Sequence, residues 1–104
     1  MNSYNIFISS PAENDLADII RYVKSQLLAP IAADNMLKLF NETIQGLAEF
    51  PKKYPLVKDD RLASLGYRII PVKNYIVFFS VDDEKKEVNI ERILYARRDW
   101  LSIL

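Results

Sequence analysis

"GYRIIPVKNYIVFFSVDDEKKEVNIERILYA", Gly66 to Ala96, is the stretch on which the fold turns. It breaks into three runs rich in β-branched and aromatic residues, "GYRIIPVK", "NYIVFFSVDD" and "EVNIERILYA". A tight turn near Lys73 and Asn74 and a charged one within "DDEKKE" separate them. Such runs joined by short polar turns predict an antiparallel meander of three strands. The middle run is apolar at nearly every position, as expected for a central strand covered on both faces, whereas its neighbours alternate.

Working outward, "PKKYPLVKDDRLASL" (residues 51–65) mixes prolines and charges without a sustained period, and reads as a loop of the length that often carries function. Before it stand two helical patterns. In the first, Ser10 is the expected cap, Pro11 suits the first helical position and Glu13 completes a capping box. Leu16, Ile19, Ile20, Val23 and Leu27 then form an apolar stripe. Pro30 breaks that helix and opens another, which carries Ala33, Met36, Leu37, Phe40, Ile44 and Leu47 on one face and stops at Pro51. "SYNIFIS" (residues 3–9) reads as an opening strand, and "RDWLSIL" as a short terminal helix docked by Trp100, Leu101 and Leu104. The expected fold class is α+β, in the order β-α-α-β-β-β, with a helical hairpin packed on an antiparallel sheet and a short C-terminal helix. One domain spanning residues 1–104 is the natural size for such a chain.

Composition excludes much chemistry. There is no histidine and no cysteine, so the commonest general base, the commonest metal ligand and thiolate nucleophiles are all missing. With only Gly46 and Gly66, neither a phosphate-cradling loop nor a dinucleotide fingerprint can be built, and no cofactor or metal is expected. The absence of cysteine, of a secretory signal pattern and of any apolar run near 20 residues predicts a cytoplasmic protein that does not span a membrane. A formal net charge of zero argues against a field that steers nucleic-acid binding. Asp59-Asp60, Asp82-Asp83-Glu84, Lys52-Lys53 and Lys85-Lys86 read as solvated turn residues.

The arginines are more informative, since five of the six lie after residue 60. Strand alternation puts Arg92 on a face with Val88, Ile90 and Leu94, and Arg68 on a face with Ile70 and Val72. A guanidinium interrupting an apolar row needs a partner: an ion pair, a solvated sheet edge, or an anionic ligand in a concavity shared by both arginines. Just beyond, Arg97, Arg98 and Trp100 close the last strand in "ILYARRDW".

These words in this order, "SPAENDLADIIRYV", "LAEFPKKYP", "GYRIIPVKNYIVFFSVDD" and "ILYARRDW", resemble the RelE/ParE superfamily of bacterial type II toxins, also called plasmid stabilisation proteins. The resemblance covers nearly the whole chain. It implies the sandwich deduced above, growth arrest as the outcome, and a cognate antitoxin whose C-terminal part wraps the toxin. Two activities follow from it. RelE-like members are ribosome-dependent endoribonucleases that cut messenger RNA; ParE-like members inhibit DNA gyrase by protein binding. "NYIVFF" and "LYARRDW" look ParE-like, which makes Arg97, Arg98 and Trp100 the expected gyrase-facing edge. Under the nuclease alternative, Arg68 corresponds by its place on the second strand to the arginine at the scissile phosphate, and Arg92 and Tyr95 to the arginine and tyrosine of the last strand. No counterpart of the paired catalytic lysines stands out, since Lys52, Lys53 and Lys58 fall in the loop. A degenerate toxin that only binds its antitoxin is the third possibility.

Overall fold

The sheet is built on its longest strands. In the computed structural model, which describes residues 3–104, the elements are β1 (Asn5–Ile8), α1 (Ser10–Arg21), α2 (Pro30–Gly46), α3 (Asp60–Ser64), β2 (Arg68–Val72), β3 (Tyr75–Asp82) and β4 (Glu87–Tyr95). Residues 1 and 2 of the expected domain lie outside the described residues. The strands run in the order β1-β4-β3-β2. The meander β2-β3-β4 is antiparallel as expected, but β1 joins β4 in parallel, so the sheet is mixed. Parallel pairing follows from the connection: the helical hairpin carries the chain over one face before β2 begins, the kind of long crossover a parallel neighbour needs.

β3 meets the requirement of a strand covered on both faces. Val77, Phe78 and Phe79 are all fully buried. Phe79 and Val77 pack with Phe40, Ile44 and Leu47 beneath the hairpin, while Phe78 belongs to a second cluster with Val57, Leu62 and Leu94. Each buried phenylalanine contributes about 2–3 kcal/mol of transfer free energy. Pro71 is tolerated in β2 because this is an edge strand. The Ile69 amide already points outward, donating to the Pro55 carbonyl at 3.3 Å, and Pro71 lies two residues on, where its missing N–H costs no ladder bond.

The start of α1 is shifted by one residue from the expected cap. Ser9, not Ser10, is the N-cap; its Oγ accepts the Ala12 amide at 3.1 Å and donates to the Glu91 carbonyl at 2.8 Å. Pro11 therefore falls one place later, and Glu13 lies one residue past the capping-box position. Ser9 is preferred because the same hydroxyl ties the helix start to β4. At its far end α1 runs into a π-helical turn, Tyr22–Gln26, and Leu28 enters the left-handed region at φ +50° before Pro30 opens α2. Leu27 and Leu37, expected in the apolar stripes, are 57% and 37% exposed.

Residues 51–65 are more ordered than a loop. Pro51–Lys53 form a 3-10 turn, Leu56 bridges to Arg68, and α3 is capped by Asp59, whose Oδ1 accepts the Leu62 amide at 3.0 Å. Asp59 is thus a helix cap and not simply a solvated turn residue, and fully buried Leu62 closes the second face of the sheet. The chain ends in a 3-10 turn, Trp100–Ser102, held by Arg61, which donates to the Leu101 and Leu104 carbonyls at 3.1 and 3.3 Å. Trp100, Ile103 and Leu104 dock on the Phe78 cluster, whereas Leu101 remains 44% exposed. No helix among the described residues is long and apolar enough to cross a membrane.

Candidate partner-binding surface

The two arginines that interrupt apolar rows do not share a concavity. A bulge lies in the β3-β4 ladder: Phe79 pairs with Ile90 but Phe78 pairs with Arg92, leaving Glu91 as the extra residue. The bulge resets the alternation, so Val88, Ile90 and Ile93 pack under the helices while Leu94 packs with Phe78 on the other face. Arg92 therefore does not sit in the row of Val88 and Ile90. Its Nε and Nη2 reach Asp15 of α1 at 2.7 and 2.9 Å, and the Asp15 Oδ2 also accepts the Ile93 amide at 3.0 Å. This hydrogen bond, more than the accompanying charge, raises the Arg92 guanidinium still further above its usual value.

Arg68 stays on the face of Ile70 and Val72 but is tied to the chain itself. Its Nη1 donates to the Tyr54 carbonyl at 2.7 Å and to the Lys52 carbonyl at 3.4 Å, which fixes the segment after α2 against β2. That contact registers the loop lysines. Lys52 Nζ bonds Asp83 Oδ2 at 2.7 Å, and Asp83 Oδ1 accepts the Tyr4 hydroxyl at 2.8 Å. The Lys52 hydrogen bond first, and that of Tyr4 second, hold the Asp83 carboxyl below the usual carboxylate range, while Asp83 raises the Lys52 amine. Lys53 lies 5.2 Å from the Tyr54 ring centroid and Lys86 5.0 Å from that of Tyr4. The lysines and tyrosine of "KKY" were the only sequence signal for this grouping.

Past the last strand the side chains differ in their burial. Trp100 packs on Phe78 with ring centroids 5.4 Å apart, and so anchors the tail. Arg97 and Arg98 are exposed, and among the described residues neither side chain makes an ion pair. Tyr95, 44% exposed, stacks edge-on against Tyr75 at 5.8 Å, and Tyr75 in turn meets Phe40 at 6.0 Å. Tyr75 and Tyr95 line a groove of about 580 Å³ with Asp18, Tyr22, Leu27 and Asn74. Sequence reasoning missed this groove, because its walls come from α1, the π turn, the β2-β3 turn and the end of β4. Among the described residues no three acidic side chains gather into a group able to hold a metal ion.

With the arrangement in view, the model of the ParE toxin of the type II toxin-antitoxin system, parDE, matches residues 6–100. The chain belongs to the ParE toxin family. Its fold is similar to that of a solved chain from the chromosomal ParDE toxin-antitoxin system of P. aeruginosa, with a TM-score of 0.76 at 18% identity, over 93% of this chain and 100% of that one. It is also similar to a chain of the RelBE2 toxin-antitoxin complex of Mycobacterium tuberculosis, with a TM-score of 0.60 at 17% identity, over 89% of this chain and 98% of that one. At these identities the likeness is one of fold. No curated protein matches the chain.

Proposed function

We propose that this ParE-family chain arrests growth in the cytoplasm by binding DNA gyrase, without chemistry of its own, and that a cognate antitoxin neutralises it. The observation that carries this reading is the contrast among its arginines. Arg68 and Arg92 hold backbone carbonyls and a carboxylate, whereas Arg97 and Arg98 are presented to solvent on a tail whose Trp100 is anchored. Exposed guanidiniums beside a fixed aromatic suit recognition of carboxylates on a protein surface. An arginine that stays protonated is a poor acid or base, and no histidine supplements it. Antitoxin binding draws support from the family and from two similar folds solved within toxin-antitoxin systems.

Supercoiling by purified gyrase tests the proposal. Inhibition is expected with the wild-type chain and weakened in Arg97→Ala/Arg98→Ala. No inhibition at saturating toxin, with messenger RNA cut in a translating extract, would instead establish the ribonuclease reading. One observation favours that second reading: the bonds from Arg68 to the Tyr54 and Lys52 carbonyls bring its guanidinium beside the "KKY" segment, although the Lys52 amine itself is paired with Asp83. Failure to arrest growth when expressed without antitoxin would leave only antitoxin binding.

A further inference from the structure

The groove between the π turn and the end of β4 has a chemistry distinct from the arginine tail. Tyr22 and Tyr95 are 50% and 44% exposed, Tyr75 lies between them, and Leu27 supplies an apolar wall. Asp18 stands at the rim. Among the described residues no lysine or arginine lines it. We propose that this groove receives an arginine or lysine side chain projected by a protein partner.

Aromatic faces are electronegative and attract cations, and a carboxylate at the mouth adds to the same field. Burial first, then the neighbouring Tyr22 and Tyr95, push the Tyr75 hydroxyl above its ordinary value, so this ring stays a neutral phenol. Asp18 has a partner, Arg21 at 2.9 Å, but the two side chains are 72% and 70% exposed. A pair so well solvated contributes little, so an incoming cation can share the carboxylate at small cost. About 580 Å³ is ample for a guanidinium and its aliphatic stem, which would lie along Leu27. The π turn supplies an independent pointer. Its bond from the Leu27 amide to the Tyr22 carbonyl, 3.2 Å, departs from regular helix at the point where both residues enter the groove, and such turns concentrate at functional sites.

The inference rests on reading this chain as one that works by binding proteins, but its test does not use the antitoxin or gyrase. The ¹⁵N-labelled chain is titrated with acetyl-Leu-Arg-Leu-amide and with the same peptide carrying norleucine or glutamate at the centre. The arginine peptide is expected to shift the amides of Asp18, Asn74, Tyr75 and Tyr95 and to bind about tenfold more tightly than the norleucine peptide. Asp18→Asn, an exposed change that preserves shape, and Tyr95→Leu, which removes a ring, should each reduce that preference by about threefold or more. Equal binding of the arginine and norleucine peptides, preference for glutamate, or shifts confined to another surface would each overturn the proposal. Co-purification with the antitoxin, measured separately, bears on the proposed function alone.

Discussion

Asp15 of α1 and Arg92 of β4 meet in a two-pronged ion pair, with bonds of 2.7 and 2.9 Å, at the point where β4 outruns its parallel neighbour. β1 pairs with β4 only as far as Ile90, so the next outward amide, that of Ile93, would be open. The Asp15 carboxylate takes the place of the missing strand by accepting it. The side chains of Arg92 and Asp15 are 25% and 12% exposed, so the pair is partly shielded from water. Asp15→Ala leaves a guanidinium and a backbone amide without their partner and should destabilise the fold by about 2–4 kcal/mol. Urea unfolding measures it, and a change below about 0.5 kcal/mol would show that water replaces the carboxylate.

Arg97→Ala with Arg98→Ala should change stability by no more than about 0.5 kcal/mol, because both side chains are solvated. Growth arrest on induction should nonetheless weaken. A large drop in melting temperature would reassign the two residues to structure.

Trp100→Ala should cost about 2–3 kcal/mol, less than for a fully enclosed tryptophan because the ring is half-buried against Phe78. Trp100→Phe should restore most of it. Comparing toxicity of the two variants at equal folded concentration separates anchoring from contact with the target: an anchor is rescued by phenylalanine.

Leu28→Asn should stabilise by about 0.5–1 kcal/mol, since a left-handed leucine that is 82% exposed gains little from packing and asparagine tolerates that backbone. Thermal unfolding of the two chains decides it, and a loss on substitution would mean that Leu28 has a contact in solution.

The Asp83 carboxyl is held below its ordinary value by Lys52 and Tyr4. Its contribution is therefore fully present above the unfolded carboxylate range and is lost as pH falls through the lower folded value. Wild type should exceed Asp83→Asn in melting temperature at neutral pH, and the gap should close in strong acid and shrink in high salt. A gap unchanged by pH would remove the charge from the explanation.

How much of this could be read beforehand depends on whether the signal was local. The meander was legible because Val77, Phe78 and Phe79 need cover on both sides, and the hairpin because Pro30 and the apolar spacing are local features. The direction of β1 was not, since four residues alternate equally well in either direction and the crossover decides. The surroundings of Arg92 were misjudged for a sharper reason. Alternation assumes an unbroken ladder, and the extra residue Glu91 shifts every position after it. In residues 51–65 the charges hid a short capped helix whose one buried side chain, Leu62, has no periodic companion. The aromatic groove draws on distant segments and leaves no pattern in any one of them.

The parallel register of β1 has a consequence for the order of synthesis. Asn5 faces Glu87 and Ile8 faces Ile90, so the first strand to be made must wait for the last before it has a neighbour in the sheet. Contacts this distant in sequence close late and slowly. A nascent chain halted before Glu87 keeps β2 and β3 beneath the hairpin but leaves β1 with no strand beside it, and lacks "ILYARRDW" as well. Incomplete translation products of this chain are thus expected to lack a closed sheet, with β1 finding its place only once β4 has been made.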